Sequence, residues 1–275
     1  MSIKLIALDL DGTTLNNDRV ISRANRTALE EAIQRGVNVV IATGRTYSAL
    51  PEDVFRIRGI QYVLTSNGAI ITDLREKKAI YENCIAPTAV EQAVELLKQY
   101  EFMVEAFTEG QAYIEKSFYD NIKETRLSFR HVDYVLSTRQ PVEGLYDFIL
   151  AHKAHIENIN VNFDDQKDRA RMREVLSGLE NTTLTTSFDH NLEIGGATTS
   201  KAAALRELEH ILDVRPEEMM AIGDSPNDVA MLRLAGMPVA VGNAKDEVKA
   251  VAKYVTATNH EDGVAQAVRK FVLED

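Results

Sequence analysis

Short apolar runs alternate with amphipathic segments in the first and last thirds of the chain. Apolar runs bounded by turn residues are typical of buried strands, and they occur at 3–9, 37–43, 61–72, 217–224 and 237–242. Apolar residues spaced three and four apart predict helices at 22–36, 200–213, 226–236 and 246–254. Ser22 is a candidate N-cap, and Gly36 lies beyond the end of its helix. Strands that alternate with helices predict an α/β fold with a doubly wound, mostly parallel, Rossmann-like sheet.

The middle of the chain differs, because its apolar runs are shorter and more polar. An amphipathic helix is predicted at 88–100, and a strand with alternating faces at 158–163. With 275 residues, the chain is long enough for two domains. We therefore interpret residues 84–187 as a separate α+β domain, inserted into a core that comprises residues 1–83 and 188–275.

Composition and charge narrow the class of protein. The chain is 45% hydrophobic and 27% charged, as globular proteins are, and no apolar run reaches the roughly 20 residues of a membrane helix. A net charge of −11 argues against a nucleic-acid partner, which requires a basic face, but it permits a small anionic ligand at a locally positive site. The single cysteine, Cys84, forms no internal disulfide, which fits a cytoplasmic protein. The sequence does not indicate an oligomeric state.

Polar residues follow every predicted strand of the core. The first strand ends in Asp9 and Asp11, and the others are followed by TGRT (43–46), SNGA (66–69), GDSPND (223–228) and GNA (242–244). In open parallel sheets, ligands bind at the carboxyl ends of the strands. Any one of these segments could be an ordinary loop, but five at one edge of a sheet predict a binding site.

The residue types favour phosphoryl chemistry with a magnesium ion. Asp9 and Asp224 are the natural pair to hold Mg²⁺, and a carboxylate can also attack phosphorus to form an acyl phosphate. A carboxylate about 4 Å from a dianionic phosphate is repelled by roughly 8 kcal/mol at an effective dielectric near 20, a penalty of about 10⁶-fold. The nucleophile therefore needs cations beside it. Lys201, at the start of a predicted helix, is the candidate lysine.

Further side chains suit the phosphate and the leaving group. Thr43, the amide of Gly44 and the side chain of Asn227 can donate neutral hydrogen bonds to phosphoryl oxygens, whereas Arg45 fits either a phosphate contact or a structural role. Asp11 shares the strand face of the nucleophile if the strand continues. It can then act first as an acid and later as a base, provided that an acidic neighbour raises its pKa.

Taken together, these segments resemble the four motifs of the haloacid dehalogenase superfamily of phosphotransferases. The motifs are DLDGTTL, the threonine of TGR, Lys201 and GDSPND. The chain is more similar to the Cof-type, sugar-phosphatase-like branch, whose cap domain lies between the second and third motifs; TSNGA and residues 240–264 also resemble that branch. One departure is Ala202, where the branch often has glycine after the motif lysine. The inserted domain itself carries no recognisable signature.

The resemblance implies a role for each motif residue. Asp9 would be the nucleophile and a Mg²⁺ ligand, Asp11 the acid/base and a ligand through its backbone carbonyl, and Asp224 the remaining ligand. Asp228 would orient a metal-bound water or the lysine. Phosphate contacts are implied for Thr43, Lys201 and Asn227. The expected activity is Mg²⁺-dependent hydrolysis of small phosphorylated metabolites. Sugar phosphates are the substrate class that the resemblance favours, and nucleotide and cofactor phosphates are alternative substrates. The cap would select among them.

Three other functions share parts of this pattern. A phosphomutase, such as a phosphomannomutase-like enzyme, uses the same nucleophile but returns the phosphoryl group to a sugar. A phospho-receiver domain also combines aspartates, Mg²⁺, a threonine and a lysine, but it is one small domain without an insert. A binding protein could retain the site without turnover. The pair His152 and His155 has no third ligand in view in the sequence, and we predict that both are surface residues.

Overall fold

A computed structural model describes residues 2–128 and 131–274 of the chain, so the predicted core limits at residues 1 and 275 lie outside the described residues. The chain divides into two compact units. The first comprises the described residues of Met1–Gly44, Leu50–Glu82 and Ser200–Asp275. The second comprises Arg45–Ala49 and the described residues of Asn83–Thr199.

Strands and helices alternate along most of the chain. The strands are β1 (Leu5–Leu8), β2 (Asn38–Ala42), β3 (Tyr62–Thr65), β4 (Ile70–Asp73), β5 (Lys78–Glu82), β6 (Met103–Thr108), β7 (Gln111–Glu115), β8 (Arg139–Val142), β9 (Ile156–Asn162), β10 (Thr182–Thr185), β11 (Asn191–Gly196), β12 (Met219–Gly223), β13 (Met237–Ala240) and β14 (Tyr254–Val255). The helices are α1 (Arg23–Gln34), α2 (Glu52–Phe55), α3 (Pro87–Leu97), α4 (Lys116–Thr125), α5 (Val132–Thr138), α6 (Leu145–Ala151), α7 (Gln166–Leu176), α8 (Lys201–Leu212), α9 (Val229–Leu234), α10 (Asp246–Lys249) and α11 (Gly263–Val268). Among the described residues, none of the helices has the length and apolar character needed to cross a membrane.

The first unit is built on an eight-stranded sheet in the order β14-β13-β12-β1-β2-β3-β4-β5. The pairs from β14 to β3 are parallel, and β4 and β5 add two antiparallel strands at one edge. This confirms the predicted α/β fold with a mostly parallel sheet. Ser22 caps α1 as predicted, since its side chain accepts a hydrogen bond of 3.0 Å from the Asn25 amide. The helix predicted at 246–254 is shorter in the structure: α10 ends at Lys249, and the Lys253 amide donates to the Pro238 carbonyl of β13, where the chain enters β14.

The second unit is built on a six-stranded sheet in the order β10-β11-β9-β6-β7-β8. Its neighbours are antiparallel except β7 and β8. Because side chains alternate along a strand, Val104 and Met103 of β6 belong to opposite faces. Val104 joins an apolar cluster with residues of α3, α6 and α7, whereas Met103 joins one with Ile122 of α4 and Val135 of α5. Helices therefore cover both faces of this mostly antiparallel sheet.

The limits of the second unit differ from the predicted insert at its C-terminal end. We predicted that residues from 188 onwards belong to the core, but β11 forms antiparallel ladders with β9 and β10. Backbone pairing of this kind could not be read from NLEIGG, whose short apolar content fits either sheet. Residues through Thr199 therefore belong to the second unit, as do Arg45–Ala49.

A buried ion pair crosses the sheet of the second unit. Arg139 of β8 donates from Nε to Glu105 Oε1 of β6 at 2.8 Å, and both side chains are almost completely buried. Burial alone would lower the pKa of Arg139, but the Glu105 carboxylate outweighs it and raises that pKa. Asn160 donates a further bond of 2.6 Å to Glu105. Each charge thus has partners, which a buried pair requires if it is not to destabilise the fold.

Candidate active site

The first strand ends in a buried carboxylate. Asp9 follows β1 in an extended conformation, its amide donates to the Ile222 carbonyl at 3.0 Å, and the residue is only 5% exposed. The chain then turns at Gly12, whose φ is +82°. A Cβ at this position would lie 2.7 Å from Asp224 Oδ2. Glycine is therefore needed here both for the backbone conformation and for the approach of a second carboxylate.

Lys201 lies between two carboxylates. Its Nζ donates to Asp9 Oδ1 at 2.5 Å and to Asp228 Oδ1 at 2.7 Å, and the lysine is 1% exposed. The side chain starts from the first residue of α8, whose N-cap Ser200 accepts a 3.1 Å bond from the Ala203 amide. The helix therefore begins regularly despite alanine at position 202. A lysine at this point supplies the fixed positive charge that a carboxylate nucleophile requires.

The segment after β12 provides the other two carboxylates. Asp228 accepts 3.0 Å bonds from the amides of Asp224 and Ser225, so its second oxygen is anchored to the backbone. Asp224 accepts from the hydroxyls of Thr13 at 2.7 Å and Ser225 at 2.9 Å. These bonds hold both side chains in one orientation before any ligand binds.

One oxygen from each of Asp9, Asp224 and Asp228 lies within 4.8 Å of the others. Carboxylate oxygens are the ligands that Mg²⁺ favours, and two ligands about 2.1 Å from one ion lie at most roughly 4.2 Å apart. The oxygen donors therefore fit a single hard divalent cation with a small adjustment. Because Asp228 already binds Lys201 and two amides, Asp9 and Asp224 are the side chains best suited to ligate the ion.

The protonation of this group follows from its burial and its charges. Burial raises the pKa of Asp9 well above its ordinary value, and the carboxylates of Asp228 and Asp224 raise it further, while Lys201 lowers it. Burial and Asp228 likewise raise the pKa of Asp224. Burial would lower the pKa of Lys201, but Asp228 and Asp9 outweigh it, so that pKa is raised and the ammonium persists at neutral pH. The excess negative charge is a physical reason for a cation to bind.

A second group of predicted residues meets around Asn67. The amide of Thr43 donates to the Leu64 carbonyl at 2.9 Å, and the Thr43 carbonyl accepts from the Asn67 amide at 3.0 Å. Asn227 donates from Nδ2 to Asn67 Oδ1 at 2.9 Å. A Cβ on Gly44 would lie 3.1 Å from that same oxygen. Asn67 thus ties together the ends of β2, β3 and β12, through its backbone amide to Thr43 and through its side chain to Asn227.

Asp11 lies outside the carboxylate group. The paired part of β1 ends at Leu8, and Asp11 is an exposed residue with φ −78° and ψ 120° in the irregular segment that leads to Gly12. The condition attached to its prediction, that strand geometry persists, is therefore not met. Exposure does allow Asp11 to exchange protons with solvent water.

Two other predicted features belong to the second unit. The Arg45 guanidinium lies 4.7 Å from the centre of the Tyr134 ring and donates to the Ala49 carbonyl at 2.9 Å, so this arginine has structural contacts. His152 contacts the Phe148 carbonyl through Nδ1 at 2.8 Å. Among the described residues, no third His, Cys, Asp or Glu completes a metal-binding group with His152 and His155.

Several residues that contact the predicted site were not assigned from the sequence. Thr13 and Ser225 hold Asp224, and Asn67 holds Asn227. Asn243 donates to the Gly12 carbonyl at 2.8 Å and accepts from the Asn259 amide at 2.9 Å. The first of these bonds ties the GNA segment to the loop that follows β1. In the sequence, the polar segments SNGA and GNA indicated that these strand ends lie near the site. They did not indicate which residue of each segment would contact it.

Comparison with known proteins agrees with this geometry. The family model of haloacid dehalogenase-like hydrolases matches residues 6–268. The 5-amino-6-(5-phospho-D-ribitylamino)uracil phosphatase YcsE of Bacillus subtilis is 34% identical over 280 residues, covering 99% of this chain and 97% of that protein. The phosphatase YwpJ of the same organism is 31% identical, over 97% of this chain and 99% of its own length.

Solved structures give the same assignment. A haloacid dehalogenase-like hydrolase from B. subtilis superimposes with a TM-score of 0.85 at 30% identity, covering 98% of this chain and 100% of that one. The match extends over both units, so the agreement is not limited to the mostly parallel sheet of the first unit. Family and architecture are thus as the sequence motifs predicted. The chain belongs to the haloacid dehalogenase-like hydrolases, in their Cof-type branch, and is a hydrolase of phosphoric monoesters.

Proposed function

We propose that this protein hydrolyses small phosphomonoesters in a Mg²⁺-dependent reaction through an aspartyl-phosphate intermediate on Asp9. The observation that carries the proposal is the contact of buried Lys201 with both Asp9 and Asp228, beside Asp224. A buried carboxylate next to a fixed ammonium and a cation-binding group is the arrangement that attack on a phosphate dianion needs.

In the first step, an Asp9 oxygen forms a bond to phosphorus while the bond between phosphorus and the ester oxygen breaks. Asp11 gives its proton to the departing alkoxide, which leaves as a neutral alcohol. In the second step, Asp11 accepts a proton from water, the water oxygen attacks phosphorus, and the bond to Asp9 breaks to release inorganic phosphate. Lys201 offsets the negative charge that accumulates in both steps, and Thr43, the Gly44 amide and Asn227 hold phosphoryl oxygens.

The carboxylates of Asp9 and Asp224, with the backbone carbonyl of Asp11, would hold the magnesium ion. When bound, Mg²⁺ neutralises phosphate charge and thereby lowers the repulsion between the nucleophile and its substrate. The composition of the site supports this assignment, because three carboxylates surround one lysine, which balances only part of their negative charge.

For the substrate we propose a phosphorylated polyol or sugar. The relative YcsE carries in its name a phosphoribityl compound, whose phosphate is esterified to a sugar-alcohol chain. The sugar phosphates expected from the motif resemblance share this chemistry, a phosphate on a small polyhydroxylated alcohol. We propose the cytoplasm, where such metabolites occur, as the compartment. A chain with a single cysteine forms no internal disulfide, which fits a reducing environment.

A phosphate-release assay tests the proposal. Purified protein is incubated with a panel that contains hexose phosphates, pentose phosphates, 5-amino-6-(5-phospho-D-ribitylamino)uracil and nucleoside monophosphates. We expect release of inorganic phosphate with Mg²⁺, loss of release in EDTA, and recovery when Mg²⁺ is added back. Isomerised sugar phosphate without released phosphate would instead indicate a phosphomutase. Phosphate binding without turnover on any substrate would indicate a binding protein.

Lys201→Ala should lower kcat/KM by about 10²- to 10³-fold, the typical cost of losing one fixed electrostatic contact to the reacting group. The substitution also leaves Asp9 and Asp228 buried without their shared cation. Steady-state kinetics measure the effect, and thermal unfolding checks that the variant is folded. Lys78→Ala, at a lysine that is 61% exposed, is the matched control and should retain wild-type kinetics. An unchanged kcat/KM in Lys201→Ala would remove this lysine from the site.

A further inference from the structure

The turn after β3 has an unusual backbone. Ser66, Asn67 and Gly68 are consecutive and all have positive φ, at +50°, +58° and +90°. Positive φ is common for glycine, tolerated by asparagine and rare for serine. Such conformations persist when surrounding contacts impose them, and they concentrate at functional sites. The contacts of this turn are therefore informative.

Asn67 and Gly68 of this turn each adjoin a segment of the proposed phosphate site. The Asn67 amide donates to the Thr43 carbonyl at 3.0 Å, and its side-chain oxygen lies 3.1 Å from where a Cβ on Gly44 would be. A Cβ on Gly68 would lie 2.4 Å from the Ser200 carbonyl, so the turn packs directly on the N-cap of α8, the helix that begins at Lys201. A side chain larger than hydrogen at position 68 would displace that helix terminus.

Asn67 also orients Asn227. Its Oδ1 accepts the 2.9 Å bond from Asn227 Nδ2, and within the described structure the buried Asn227 Oδ1 has no hydrogen-bond partner. The bond to Asn67 is then the contact that sets the plane of the Asn227 amide. Because an amide nitrogen carries two hydrogens, this bond leaves Nδ2 a second N–H to donate to a phosphoryl oxygen.

We propose that Asn67 is a positioning residue of the phosphate site: its left-handed backbone and its carboxamide together set the direction in which Asn227 donates and the spacing of the Thr43–Gly44 backbone. This inference rests on the proposed function, since it assigns Asn227 to the phosphate. It makes Asn67 act through Asn227, so the effects of the two side chains on phosphate affinity must be coupled.

A double-mutant cycle tests the coupling. Asn67→Gly removes the carboxamide but permits the same φ, Asn227→Ala removes the donor, and the third variant combines both. The affinity for orthophosphate is measured by calorimetry with Mg²⁺, and KM and kcat by phosphate release. We expect orthophosphate affinity to fall about 3- to 10-fold in each single variant, the typical range for one hydrogen bond, and KM to change more than kcat. The double variant should match Asn227→Ala within about 2-fold.

Lys77→Gly is the matched control for the glycine substitution. Lys77 is an exposed residue with φ +53° in the turn between β4 and β5, so it undergoes the same change of backbone freedom outside the site. It should retain wild-type affinity and kinetics. Wild-type phosphate affinity in Asn67→Gly, or losses that multiply in the double variant, would overturn the proposal.

A second substitution covers the case in which Asn67→Gly does not fold. Asn67→Asp keeps an acceptor for Asn227 and tolerates positive φ, so Asn227→Ala should still cause its full loss of affinity in that background. Disappearance of that loss would contradict the inference. A wild-type protein that bound no orthophosphate and hydrolysed no phosphomonoester would overturn the proposed function together with this inference, whereas normal wild-type behaviour with unchanged Asn67 variants would overturn the inference alone.

Discussion

Asp9→Asn is expected to lower kcat/KM by more than about 10³-fold while the protein stays folded, because the amide has nearly the same shape as the carboxylate but is not a nucleophile towards phosphorus. The substitution should not lower the melting temperature. Burial and two neighbouring carboxylates raise the pKa of Asp9, so at neutral pH its ionised form costs folding free energy that a neutral amide does not. Lys201 retains Asp228 as a partner.

The measurement combines phosphate release, thermal unfolding and acid-quenched mass spectrometry. Wild-type protein should yield a phosphoryl adduct on the peptide that contains Asp9, and the variant should yield none. Asp18→Asn makes the same chemical change at an exposed aspartate of the same segment and should leave all three readouts unchanged. Full activity in Asp9→Asn would refute the mechanism. Lost activity with a much lower melting temperature would instead attribute the effect to folding.

Asp11→Asn is expected to lower kcat/KM for alkyl phosphates by about 10²- to 10⁴-fold, the usual contribution of a positioned proton donor. For an activated ester such as p-nitrophenyl phosphate, kcat/KM should change far less, since that leaving group departs without a proton. Its kcat should still fall, because the asparagine cannot accept a proton from the water of the second step. Asp11 is an exposed residue, so water can approach its carboxyl group for this proton transfer.

The comparison of two leaving groups distinguishes a loss of acid/base catalysis from a structural disturbance of the active site. Rapid-quench kinetics with p-nitrophenyl phosphate should show a burst in Asp11→Asn, with phosphoenzyme accumulating before slow hydrolysis. Asp18→Asn again serves as the control. Equal losses of kcat/KM with alkyl and aryl substrates, and no burst, would assign Asp11 to another role, such as positioning the loop at Gly12.

Local sequence patterns were sufficient to predict much of the fold. The apolar run of β1, the cap of α1 at Ser22 and the alternation of strands with helices depend on residues near one another in sequence, so their physical causes are visible in a short window. The sequence likewise predicts Asp9, Asp224 and Lys201 as site residues, because each combines a chemical type with a place at a strand end or a helix start, whereas the role of Asp228 is implied by the motif resemblance. The assignment to the haloacid dehalogenase-like hydrolases followed from these motifs together.

By itself, then, the sequence determined the α/β class, the family and the residue types of the site, since local periodicity and strand-end chemistry encode them. Only the tertiary structure decided which side chains share a contact. Asp9 and Lys201 meet although 192 positions separate them, and Asn67 meets Asn227 across 160. Pairing of β11 with β9 placed residues 188–199 in the second unit, and positive φ at Ser66 and Asn67 shaped the turn after β3. Such outcomes depend on long-range packing and on hydrogen bonds between distant segments, which no short stretch of sequence specifies.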